Sequence, residues 1–131
     1  MPGERDLQTL LRSADPEVRP GTFVFVVAHD ESLLDRLDPE ATIRETEGLT
    51  AVVRQERADA LGVPYDHLAA WITLRVHSAL DAVGLTAAVS AALARAGIAC
   101  NVIAGYHHDH LLVPADRTAD ALEALSDLGR G

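Results

Sequence analysis

From Ala70 onward the sequence changes its hydrophobic rhythm at regular intervals, and the order of those changes restricts the folds open to the chain. "AWITLRVHS" alternates, with Ile72, Leu74 and Val76 on one side and Trp71, Thr73, Arg75 and His77 on the other, the period of a strand. "GLTAAVSAALARAG" then sets Leu85, Val89 and Leu93 at helical spacing, and Gly97 stands where a left-handed C-cap is expected. "IACNVIAG" and "HLLVP" read as two strands joined by the turn "YHHD", the second stopped by Pro114. Asp116 is placed to cap a last helix, "RTADALEALSDL", with Leu122, Leu125 and Leu128 inward and Gly129 closing it.

Strand, helix, strand, strand, helix is a ferredoxin-like order that lacks its final strand. The fold class is therefore α+β, an antiparallel sheet with helices on one face. The continuous apolar run "TFVFVVAH", residues 22–29, is the expected source of the missing strand. Two halves, 1–67 and 68–131, would then be intertwined. In the first half, Asp6 to Ser13 reads as a short helix carrying Leu7, Leu10 and Leu11 on one face. "DPEVRPG" breaks it, because Pro16, Pro20 and Gly21 do not continue a helix. "DESLLDRLDPE" is a polar connection with about one helical turn. "ATIRETEGLTAVVRQ" reads as a hairpin turning at Glu47-Gly48, and "ERADALG" as a short helix closed by Gly62.

With 131 residues, 48% of them hydrophobic, the chain buries enough apolar surface to fold without disulfide or metal staples. Its net charge is −9 and it contains no lysine, which argues against nucleic acid and against an anionic membrane as partners. Cys100 is the only cysteine, so no intrachain disulfide forms. The charged start "MPGERDLQTLL" does not read as a signal peptide, no run reaches transmembrane length, and a cytoplasmic location is expected.

"HSALDAVGLTAAVSAALARAGIACNVIAG" resembles the signature of ACT domains, with Asp81, Gly84, Leu85, Gly97, Ile98 and Asn101 on its positions. Val83 departs from the proline that many ACT domains carry before the glycine. "GERDLQTLL", "GTFVFVVA", "RETEGLTAVV", "WITLRVHSALDAVGLTAAVSAAL" and "CNVIAGYHHDHLLVP" resemble, nearly end to end, small stand-alone bacterial ACT-domain proteins. The resemblance implies a non-catalytic regulatory module, a homodimer, with a small ligand at an interface between ACT units and no cofactor.

An amino acid presents a carboxylate and an ammonium. The turn "DAVGLT" opens a helix whose first amides favour a carboxylate, and Gly84 lets the backbone approach. Ser78 and Thr86 add hydroxyls, and Asp109 is the expected partner of the ammonium, with Asp81 placed to steady the helix start. The candidate ligand-binding set is thus Ser78, Asp81, Val83, Gly84, Leu85, Thr86, Asn101 and Asp109. Each also has a plain structural reading, as turn, cap or exposed strand residue. The alternative centre is metal at His108, Asp109 and His110, with His77 as a further donor, although no standard ligand spacing is present. Catalysis has less support: Ser78 is not in a nucleophile elbow, no phosphate-binding loop is present, and Cys100 lies in an apolar strand.

Overall fold

The computed structural model describes residues 3–130. In chain order the elements are α1 (Leu7–Arg12), β1 (Pro16–Val18), β2 (Phe23–Ala28), α2 (Glu31–Leu37), β3 (Ala41–Glu45) and β4 (Gly48–Arg54). They continue with α3 (Gln55–Leu61), β5 (Ala69–Leu74), α4 (Leu85–Arg95), β6 (Asn101–Ala104), β7 (Asp109–Pro114) and α5 (Thr118–Arg130). The chain divides into two compact units, residues 1–20 with 70–131, and residues 21–69. In this α+β, ferredoxin-like fold the first segment of the chain therefore belongs to the same unit as its second half, whereas residues 22–29, expected to complete that half, lie in the other unit.

In the unit formed by the chain ends, the strands lie in the order β1, β5, β7, β6. One face of this sheet is apolar because Ile72, Leu74, Leu111 and Val113 alternate onto it, and all four are almost fully buried. Against it pack Leu10 of α1, Leu85, Val89 and Leu93 of α4, and Ala121 and Leu125 of α5, so the helices share one face. The stripe Leu85, Val89, Leu93 is the one its spacing predicts. Gly97, at φ 73°, ends α4 in the left-handed conformation, and the Ile98 amide donates back to the Leu93 carbonyl at 2.9 Å.

Residues 22–29, expected beside β5, meet it at one position, Phe23 opposite Ala69, and pair along their length with β4, from Phe23 opposite Arg54 to Ala28 opposite Leu49. Pro16 to Val18, inside a segment read as a helix break, lie antiparallel to Leu74 to Ile72. An edge strand tolerates its proline because the missing N–H faces away from the ladder.

The unit of residues 21–69 repeats the pattern: β2, α2, β3, β4, α3, with β4 between β3 and β2. Val24, Val26, Ala28, Ala51 and Val53 form its inner face under Leu37 and Ala58. Two local expectations change. The polar connection is a two-turn helix, α2, capped by the Asp30 carboxylate, which accepts from the Leu33 amide at 2.8 Å. Gly129 does not close α5, which runs through it to Arg130, and a Cβ there would stand 3.1 Å from the Leu11 carbonyl oxygen. Close approach to α1, not helix termination, is what that glycine provides.

Candidate ligand site

The site grows from the connection between β5 and α4. After Leu74 the chain leaves the sheet, and the Arg75 amide donates to the Ala14 carbonyl at 2.8 Å. Glu4 then runs beside Ser78 as an isolated parallel bridge. The chain reaches α4 through Gly84, whose φ of 104° lies in the region that side-chain-bearing residues avoid. Among the described residues no side chain caps α4, and no acidic residue occupies its first turn. Its N-terminus therefore keeps the partial positive charge of the helix dipole uncompensated by the chain itself.

Facing this turn is the start of β7, where Asp109 pairs with Ala104 across the hairpin. Ser78, Gly84, Leu85, Thr86 and Asp109 line one cavity of about 140 Å³, together with the small or apolar Ala79, Leu80, Ala82, Ala104 and Gly105. That volume is below the roughly 300–1,000 Å³ typical of drug-sized ligands, so the space suits a molecule of a few heavy atoms. A carboxylate stands on one wall and an uncapped helix start on another.

Three of the eight sequence candidates lie elsewhere. Asp81 turns outward to Arg5, whose Nε and Nη2 donate to its two carboxylate oxygens at 2.9 and 3.2 Å. It does not cap α4. Val83 is 83% exposed, and Asn101 is exposed opposite Leu112. Sequence reasoning did not anticipate Ala79, Leu80, Ala82, Ala104 and Gly105. Their side chains carry no chemical signal, and only the topology brings both loops together.

The histidines divide between two places. His110 points to the sheet face away from the helices, where its Nδ1 lies 3.3 Å from the Trp71 indole nitrogen and 2.9 Å from the Thr73 hydroxyl. The Trp71 indole N–H also has the Thr73 hydroxyl oxygen within reach, at 3.1 Å, and the direction of the bond between Thr73 and Nδ1 depends on which ring nitrogen carries the proton. Burial lowers the His110 pKa, the charge of His108 and that of Arg19 act in the same direction, and Asp109 opposes them. His107 instead packs its ring 5.3 Å from that of His77 and 5.0 Å from that of Tyr106. Among the described residues no three His, Cys, Asp or Glu side chains are grouped to hold a metal ion. The Cys100 thiol is half-buried, and burial raises its pKa, which keeps it protonated and poorly nucleophilic. No described helix is long and apolar enough to cross a membrane.

Two ACT-domain family models match the chain, one over residues 2–70 and the other over residues 68–127. Among solved structures it is similar to a Vibrio cholerae protein of unknown function, described as a possible transport protein. The two are 45% identical, with 94% of this chain and 95% of that one covered and a TM-score of 0.85. A protein from Agrobacterium tumefaciens is 21% identical over 87% of each chain, with a TM-score of 0.70. The ligand-free regulatory subunit of aspartate kinase from Thermus thermophilus is 12% identical, over 88% of this chain and 97% of that one, with a TM-score of 0.65. At such identities the last two share the fold. A search of curated proteins found no match.

Proposed function

The chain belongs to the ACT-domain family, and on that premise we propose that it is a non-catalytic sensor of a small amino acid. ACT domains are regulatory modules that bind small ligands. The amino acid would lie in the cavity between the start of α4 and the start of β7. Its carboxylate would meet the first-turn amides of α4 with the Ser78 and Thr86 hydroxyls, and its ammonium would meet Asp109. The observation that carries this reading is the opposition, across one cavity of about 140 Å³, of a lone carboxylate and an uncapped helix start. Of the original candidates, Asp81, Val83 and Asn101 are not needed for it.

A homodimer accompanies the reading. Leu80, Val83 and Tyr106 are 68, 83 and 72% exposed around the two loops that carry the site, and a second copy would cover them. The sequence halves 1–67 and 68–131 would each be one ACT-like half, alongside the family matches over 2–70 and 68–127. The single unpaired cysteine fits a cytoplasmic setting.

The test is a thermal-shift screen of untagged protein against each of the twenty amino acids, with and without chelator. A ligand bound only by the folded state raises the melting temperature with concentration. One amino acid should do so independently of chelator, and Asp109→Ala should remove the shift while leaving the unliganded melting temperature nearly unchanged. Failure of all twenty, with a fall in melting temperature on chelation, would replace this reading with a metal-binding one.

A further inference from the structure

The loop that forms one wall of the candidate cavity is held from behind by the first described residues of the chain. The Glu4 amide donates to the His77 carbonyl at 2.8 Å, and the Ala79 amide donates to the Glu4 carbonyl at 2.9 Å. Gly3 lies so close to this loop that a Cβ would stand 2.6 Å from both the Ala79 nitrogen and the Ser78 carbonyl carbon. Backbone atoms cannot yield to such a contact as a flexible side chain can, so only glycine fits there. Arg5 clasps Asp81 through two parallel hydrogen bonds. Leu7 closes the far end, its Cδ2 at 3.1 Å from where a Cβ of Gly84 would lie. Beyond this segment α1 is anchored by Leu10, which is completely buried.

We propose that residues 3–7 are a strap that positions the 77–84 loop for ligand, with Gly3 as its seat and the Arg5–Asp81 pair as its catch. The inference rests on the sensor reading for its purpose, though not for its geometry. Glu4, Arg5 and Leu7 do not line the cavity, while Ser78, Ala79 and Gly84, which they hold, do. They are positioning residues. The catch is exposed, with side chains 55 and 71% accessible, so it is screened by salt and readily opened. The seat is steric and indifferent to salt. Opening the strap would free the loop, and with it the shape of the cavity, without disturbing the packed core behind α1.

Hydrogen exchange of the full-length protein, followed by mass spectrometry, tests this without any ligand. In Gly3→Ala the amides of residues 77–84 should exchange about five- to thirtyfold faster, the span of one or two kcal/mol of lost local stability. In Arg5→Gln the acceleration should be smaller. Wild-type protein should approach the Arg5→Gln rate as salt is raised, and Gly3→Ala should respond to salt much less. Residues 88–95 and 109–114 should keep their wild-type exchange in both variants. Unchanged exchange of the 77–84 loop in both would overturn the proposal. So would acceleration spread evenly over residues 70–130, which means general destabilisation. The amino-acid screen run on the same variants should show a weakened thermal shift. If wild-type protein responds to no amino acid, the sensor reading falls, while the exchange pattern still decides whether the strap exists.

Discussion

Residues 21–69 and residues 70–130 run through the same five elements, and the first helix of each run, α2 and α4, begins in the opposite way. At α2 the chain caps itself: Asp30, extended at φ −152°, turns its carboxylate onto the Leu33 amide, and Glu31 adds a second negative charge in the first turn. At α4 the cap position is Gly84 at φ 104°, with no side-chain cap and no acid in the first turn. A helix N-terminus attracts one anion. In residues 21–69 the chain supplies that anion, and in the other unit it leaves the place open next to a cavity. On the sensor reading proposed above, the open place is the ligand's, so each chain should bind one ligand, at α4.

The largest effect that could break this contrast comes from filling the open start. Gly84→Val forces a β-branched residue into the left-handed region and against Leu7, and should cost about 2–3 kcal/mol, the upper part of the range for such backbone strain. Urea unfolding reads the loss, and the same variant should give no amino-acid thermal shift. Retention of the shift at wild-type concentrations of ligand would place the site elsewhere.

A smaller effect should come from the closed start. Asp30→Ala removes one cap and should cost about 1 kcal/mol, typical of an N-cap. Its ligand response should equal that of the wild type, because residue 30 belongs to the self-sufficient repeat. If Asp30→Ala instead acquired a second binding event in calorimetry, the two helix starts would be interchangeable sites distinguished by that one carboxylate.

The sequence made this contrast only half legible. The stripe Leu85, Val89, Leu93 and the glycines at 84 and 97 identify α4 and its open start, because period and turn chemistry are local properties. The cap of α2 is equally local, Asp30 followed by "ESLLDRL", yet the polar segment reads as a connection with about one helical turn where the structure has two. β1 was hidden by Pro16 and Pro20, which signal a break unless the strand is known to lie at an edge. Asp81 reads as a residue placed to steady the start of α4, whereas its partner Arg5 is 76 positions away. Asn101 matches a motif position, but strand alternation puts it on the sheet face of Leu112 and His110, away from α4. What the sequence could not convey was distance between segments far apart in the chain, and that distance decides which motif residues share a cavity.

The smallest effect sharpens the contrast through pH, because the unit carrying the open helix start also carries a half-buried histidine on its other sheet face. Burial holds His110 below its ordinary value of 6.5, and Nδ1 lies within hydrogen-bond reach of the Trp71 indole nitrogen and the Thr73 hydroxyl. Below pH 6.5 the unfolded chain therefore takes up a proton that the folded chain resists. The stabilisation due to neutral His110 is fully present above 6.5 and drains away as pH falls through the depressed folded value. Urea midpoints measured from about pH 8 down to about pH 5 should fall more steeply for the wild type than for His110→Gln, which keeps a polar side chain but does not titrate. The two curves should run parallel above 6.5 and converge below it. Curves parallel over the whole range would mean that protonating His110 costs the folded chain no more than the unfolded one, and that burial of the ring does not govern its charge.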